Sequence, residues 1–189
     1  VNTTIEQIWL DRTDMPQLLA IGTIVAQVWP RPGVTAADRA QQIGAFGRDF
    51  VGPQSLVPRS FVVRDGQVVV AHAAAVPRIV GTSRGDLPMV GLARVASHPD
   101  YRGQGLGQIV ARAVFELVDR GDFAFCLFQT SHAVRPFYER LDCLLVDNPI
   151  VNSLAPDKTA KPFTDEIAMR YPAGGHWPLG TIDLRGPGF

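Results

Sequence analysis

A mixed α/β fold, with a largely antiparallel central sheet flanked by helices, is what this sequence predicts. Three observations carry that expectation. Two apolar runs are joined by Asp65-Gly66; a strand, a glycine-rich turn and an amphipathic helix follow one another between Leu92 and Arg120; and Phe123–Phe128 is a near-continuous apolar run. Asp-Gly between β-rich runs favours the tight turn that joins antiparallel strands, so Phe61–Arg64 and Gln67–His72 should pair as a hairpin.

The remaining elements follow in order. Thr3–Leu10 alternates apolar and polar residues, a strand signal. Asp14 is placed to cap a helix carrying Leu18, Leu19, Ile21, Ile24, Val25 and Val28, which Trp29-Pro30-Arg31-Pro32 stops. A second helix is expected from Thr35 to about Phe50, and a strand over Met89–Ser97 leads into a turn at His98-Pro99-Asp100. Leu106, Ile109, Val110, Ala113 and Leu117 then share one face of a helix ending near Gly121. Phe123–Phe128 has the unbroken apolarity of a strand buried on both faces. Ser131 is placed to cap a short helix through Arg140, and Leu144–Val146 starts another strand. Residues 147–189 hold six prolines and five glycines, so an irregular C-terminal extension is expected, carrying a last strand at Glu166–Tyr171. Residues 1–189 are taken as one domain, on a prior of about 100–200 residues per domain.

Composition narrows the function classes. Eighteen basic residues balance eighteen acidic ones, so no global field steers the chain to nucleic acid or to an anionic membrane. No apolar run approaches the roughly 18 residues of a membrane span, and Val1-Asn2-Thr3-Thr4 lacks the basic and apolar regions of a signal peptide. Cys126 and Cys143 have neither metal-site spacing nor disulfide density, so no metal is expected and a reducing cytoplasm is the default.

The chemistry concentrates in Arg102-Gly103-Gln104-Gly105-Leu106-Gly107 and the helix behind it. Glycine removes side chains where a ligand must come close. The first helical turn offers unpaired N–H groups at the positive end of the dipole, which suits a pyrophosphate. The segment is not a P-loop, and its G-x-G-x-G spacing misses the dinucleotide fingerprint. By glycines alone, a plain turn before a core helix remains an equal reading.

The whole run His98-Pro99-Asp100-Tyr101-Arg102-Gly103-Gln104-Gly105-Leu106-Gly107 resembles the coenzyme A signature of the GNAT acetyltransferase superfamily, and Phe137-Tyr138-Glu139-Arg140-Leu141 resembles its tyrosine-bearing second motif. The resemblance covers residues 90–146. It implies a GNAT-like sheet, splayed in the middle between Leu92–Ser97 and Phe123–Phe128 to admit acetyl-CoA as acyl donor. It further implies that the backbone of Val95, Ala96 and Ser97 pairs with the pantetheine arm, and that amides from Gly103 through Gln104, Gly105, Leu106 and Gly107 to Gln108 hold the pyrophosphate, with Arg102 just before them in the cofactor-binding segment. Tyr138 is then the general acid for the departing thiolate. Ser131 stands where the family usually has an asparagine that contacts the cofactor, and Asp142-Cys143 replaces a common Gly-Phe. Cys126 falls where some relatives carry a glutamate base, so no carboxylate base is evident.

An acceptor amine must lose a proton before attack, and His72 is the candidate for that work, with His98 second. A hydrogen-bonded core histidine is the competing reading of His72. Val69-Val70-Ala71-His72 with Pro77-Arg78, and His176-Trp177-Pro178-Leu179-Gly180-Thr181-Ile182-Asp183 with Arg185-Gly186-Pro187, bear a weaker resemblance to the nodulation N-acyltransferases. That resemblance implies long-chain acyl transfer from acyl carrier protein to an amino sugar; the bland reading is a structural clasp by Trp177 and Pro178. The expectation is acetyl transfer from acetyl-CoA to a small-molecule primary amine. The alternatives are the long-chain transferase and a non-catalytic acyl-CoA-binding sensor. Exposed sheet edges would allow a homodimer.

Overall fold

Asp65 and Gly66 turn the chain between two antiparallel strands, with Gly66 at φ 58°. The computed structural model describes residues 4–189, so of the first expected strand only Thr3 lies outside the described residues. The elements are β1 (Ile5–Trp9), α1 (Met15–Val28), α2 (Ala36–Arg48), β2 (Arg59–Asp65), β3 (Val68–Thr82), β4 (Gly85–Ser97), α3 (Leu106–Asp119), β5 (Phe125–Thr130), α4 (Arg135–Glu139), β6 (Leu144–Leu145), β7 (Ile150–Val151), β8 (Ile167–Tyr171) and β9 (Ile182–Asp183). The sheet runs β1-β2-β3-β4-β5-β8-β6, with β9 paired to β3 and β7. The β4–β5 and β7–β9 pairs are parallel, whereas β1–β2, β2–β3, β5–β8, β6–β8 and β3–β9 are antiparallel. This is the mixed, mostly antiparallel open sheet flanked by helices that the sequence predicts.

The chain divides into two compact units, the first made of residues up to 76 with 92–114, the second of 77–91 with 115–189. In the first unit, Asp14 caps α1 by accepting from the Gln17 amide at 3.0 Å. Thr35 and Asp38 form a reciprocal capping box at the start of α2. The helices cross closely at Gly22, where a Cβ would stand 2.3 Å from the carbonyl oxygen of Ala36. Ile21, Ile24, Val25 and Ile43 bury their side chains in one core with Ile8, Val62 and Ala96. Arg39 is buried too, and its guanidinium donates to the Trp29 carbonyl at 2.9 Å, satisfying the end of α1.

In the second unit, β5 pairs with β4 over Met89↔Phe125, Val90↔Cys126 and Gly91↔Leu127, and with β8 over its other edge. Strand alternation sends its residues to two different cores. Phe128 meets Phe115 of α3, which stacks on Tyr171 at 4.3 Å between ring centroids. Phe125 and Leu127 pack instead with Val80, Met89, Ile182 and Leu184, so residues of the C-terminal segment cover this face.

Several boundaries differ from the sequence reading. Phe123 and Ala124 still belong to the connection, Ala124 donating to the Pro88 carbonyl at 2.8 Å, so β5 is shifted two residues. β3 runs on through Pro77, and β4 starts four residues before Met89. The helix expected from Ser131 to Arg140 spans only Arg135–Glu139: Val134 is its N-cap, and Ser131 contributes its carbonyl to the preceding turn. The tail carries β7 and β9 in addition to β8, each only two residues long.

Candidate active site

The glycine turn is held from behind. His98 donates its amide to the Val70 carbonyl at 2.9 Å, and its ring Nδ1 accepts from the Asp100 amide at 3.3 Å, closing the short helical turn Pro99–Tyr101. The Tyr101 hydroxyl donates to Asp65 Oδ2 at 2.7 Å, tying the turn to the β2–β3 hairpin. Residues 102–105 beyond this anchor are exposed. Gly103 and Gly105 adopt φ of 79° and 74°, which residues with a Cβ rarely tolerate, and no atom lies within 4 Å of where either Cβ would stand. Ile109 closes the first turn of α3 onto the Gly105 carbonyl at 3.1 Å. The amides of Leu106, Gly107 and Gln108 precede that bond and have no carbonyl of their own helix to meet.

Just upstream, β4 contains Arg94 at φ 54°, a left-handed conformation inside a strand, followed by Val95, Ala96 and Ser97. His72 approaches this point from β3. Its Nδ1 lies 2.8 Å from the Arg94 carbonyl and its Nε2 lies 2.9 Å from Ser60 Oγ. A carbonyl can only accept, so Nδ1 carries the proton, and Nε2 accepts from the Ser60 hydroxyl. The ring has 0% exposure, and burial above all lowers its pKa from 6.5 to about 4, leaving it neutral. Both nitrogens are therefore committed inside the core, and the structure places His72 as a hydrogen-bonded core residue.

In the second unit, Tyr138 sits on α4 with 6% exposure, its ring 4.5 Å from Phe128 and 4.9 Å from Phe137. Leu141 and Cys143 both donate their amides to its carbonyl, which fixes the end of α4. The hydroxyl has no hydrogen-bond partner among the described residues. Burial chiefly, then the neighbouring Cys143 and Cys126, pushes the phenol pKa up, so the O–H is retained at neutral pH. Ser131 lies at the end of β5, its carbonyl accepting from Val134 and Arg135.

His72, Val95–Ser97 and Arg102–Gln108 thus belong to the first unit, and Ser131 and Tyr138 to the second. Sequence reasoning missed Ser60 and Arg94. Nothing in the letters marks an arginine for a left-handed backbone, and Ser60 becomes visible only when the β2–β3 register places it diagonally to His72. Among the described residues no group of three or more His, Cys, Asp or Glu could hold a metal, and no helix is long and apolar enough to cross a membrane.

Residues 58–142 match the family model of the acetyltransferase (GNAT) domain. Over that segment the chain is similar to the GNAT acetyltransferases. The glycine turn, the left-handed point of β4 and Tyr138 all lie within the matched segment. No curated protein matches the sequence. Among solved structures, the fold is similar to an acetyltransferase of the GNAT family from Staphylococcus aureus Mu50, with TM-score 0.59, 10% identity, and 90% of this chain and 100% of that one covered. An acyl-CoA N-acyltransferase from Pseudomonas aeruginosa gives 0.58 at 16% identity, covering 88% of this chain and 97% of that one. A GCN5-related N-acetyltransferase from Kribbella flavida gives 0.53 at 24% identity, covering 75% of this chain and 33% of that longer protein. At these identities the likeness is one of fold, and it extends the GNAT architecture beyond the matched domain.

Proposed function

We propose that this chain is an N-acyltransferase that moves an acetyl group from acetyl-CoA to a primary amine by direct attack. The observation that carries the reading is the exposed turn at Gly103 and Gly105, left-handed at both glycines and open where side chains would stand, leading into the fourteen-residue helix α3. Such a cradle fits a pyrophosphate: backbone can approach it, and the amides of Leu106, Gly107 and Gln108 meet it with the positive end of the helix dipole. Arg102 and Gln104 flank the cradle, and the amides of Val95, Ala96 and Ser97 serve the pantetheine arm and the thioester carbonyl. Ser131 offers its hydroxyl to the donor. The bound donor supplies an activated thioester, whose carbonyl carbon forms the C–N bond as its C–S bond breaks.

Tyr138 acts as acid toward the leaving thiolate; the acylated nitrogen releases one proton to solvent, and solvent returns one to the phenol. A buried phenol with a raised pKa is protonated across the physiological range, and its uncommitted O–H stabilises developing charge by hydrogen bonding. His72 does not serve as base in this reading, because its only lone pair is taken by Ser60. The ammonium therefore loses its proton to solvent before attack. Trp177 supports the clasp reading of the tail: its indole N–H donates to Asn148 and its ring packs on Phe125, so we adopt the short acyl donor over a carrier-protein donor.

The test is thiol release from acetyl-CoA across a panel of small primary amines, with wild type and Tyr138→Phe. Amine-dependent thiol release that collapses in Tyr138→Phe, with donor affinity kept, supports the proposal. Donor binding without turnover on any amine would favour an acyl-CoA sensor.

A further inference from the structure

We propose that His72 is a positioning residue that, braced by Ser60, holds the peptide after Arg94 so that the Val95 N–H is aimed at the acyl donor. The inference rests on the acyl-transfer reading for its purpose, whereas the strut itself rests on geometry alone.

Arg94 is not glycine, asparagine or aspartate, yet it sits at φ 54° in the middle of β4. Its Cβ makes that conformation costly, so other contacts must hold it there. A left-handed residue turns its carbonyl out of the line that regular strand pairing would use. The Arg94 carbonyl meets His72 Nδ1–H at 2.8 Å. Removing that donor takes away the bond that fixes this oxygen against the fully buried ring, and the left-handed conformation loses a contact that holds it.

The consequence for chemistry follows from the peptide plane. In a trans peptide the C=O of one residue and the N–H of the next point in opposite directions. Anchoring the Arg94 oxygen to His72 therefore directs the Val95 N–H away from the core that His72 occupies. Ser60 completes the device. Its hydroxyl donates to Nε2 at 2.9 Å, which keeps the proton on Nδ1 where the strut needs it. Ser60 and Val62 alternate onto one face of β2, and His72 stands opposite Val62, so the β2–β3 register brings ring and hydroxyl together on the face that α1 and α2 cover.

The test compares His72→Leu, which removes the donor, with His72→Gln, which can restore one, and with His72→Leu combined with Arg94→Gly, which accepts the left-handed conformation without cost. His72→Leu should lower kcat by about 10²-fold, the cost of losing one aligned donor, with donor KM changed far less. Both other variants should recover part of it. In wild type the ¹⁵N spectrum of the His72 ring should show the Nδ1–H form. An unchanged kcat in His72→Leu, or an Nε2–H ring in wild type, would overturn the strut. Should His72→Leu fail to fold, His72→Gln and the ring spectrum still decide the matter. Wild type that turns over no amine at all would overturn the acyl-transfer reading, and the ring tautomer with the Val95 amide exchange rate in wild type and His72→Gln would then judge the strut separately.

Discussion

Phe189 lies so close to Gly91 that a Cβ on residue 91 would stand 2.5 Å from its ring. The same ring meets Phe163 at 5.4 Å, lies under the Arg78 guanidinium at 5.3 Å, and has its backbone carbonyl held by Gln129 at 3.2 Å. The last residue is thus seated on β4 beside the β4–β5 ladder.

Gly91→Ala should expel that ring at a cost of about 1–3 kcal/mol, the usual range for overpacking. In a Phe189→Ala background the same substitution should cost much less, because the obstructing atoms are gone. Chemical denaturation of the four proteins measures the difference.

Gly22 and Gly105 separate the two uses of glycine in this chain. Gly22→Ala drives a methyl group into the backbone of α2, so stability should fall by at least about 2 kcal/mol. Gly105→Ala meets no atom but must adopt φ 74°, so the loss should be about 1 kcal/mol, accompanied by weaker acetyl-CoA binding. Thermal unfolding with and without acetyl-CoA distinguishes the two.

Stability should fall in acid through His72. Its folded pKa, about 4, lies below the ordinary 6.5, so the unfolded chain takes up the proton first. The contribution is complete above pH 6.5, declines as pH falls, and is lost near pH 4. Its full size is about 3 kcal/mol at 1.36 kcal/mol per pKa unit. Arg94 is the charged residue that acts on the ring, and it too disfavours protonation. Denaturation curves across this window should show the slope in wild type and a flatter profile in His72→Gln.

Much of this architecture was legible because local chemistry decides it. Asp14, the helix start at Thr35, Asp65-Gly66 and the glycine turn each place a particular backbone requirement beside the residue that meets it. The two-residue strands β7 and β9 were not legible, since tertiary pairing and not periodicity makes them strands. Pro77 concealed the second half of β3 for a related reason: proline argues against a strand locally, and the sheet overrides it. In the candidate site the glycines and Tyr138 stood out, whereas the role of His72 depended on Ser60 and Arg94, which only the fold brings to it.

Tyr138→Phe should leave stability within about 0.5 kcal/mol, because the hydroxyl has no partner in the protein among the described residues. Turnover should fall by about 10²–10⁴-fold, the usual contribution of a positioned acid. Steady-state kinetics alongside unfolding curves checks both halves.

Thermal unfolding with acetyl-CoA, free CoA, a long-chain acyl-CoA and NAD tests the central claim most directly. Ligand at 100 times its dissociation constant contributes about 2.7 kcal/mol, and each kcal/mol moves the midpoint by roughly 2–4 °C at this chain length. A rise of about 5–10 °C with acetyl-CoA and none with NAD is the predicted result. No shift with any CoA species would contradict the account and leave Gly103 and Gly105 as a structural turn.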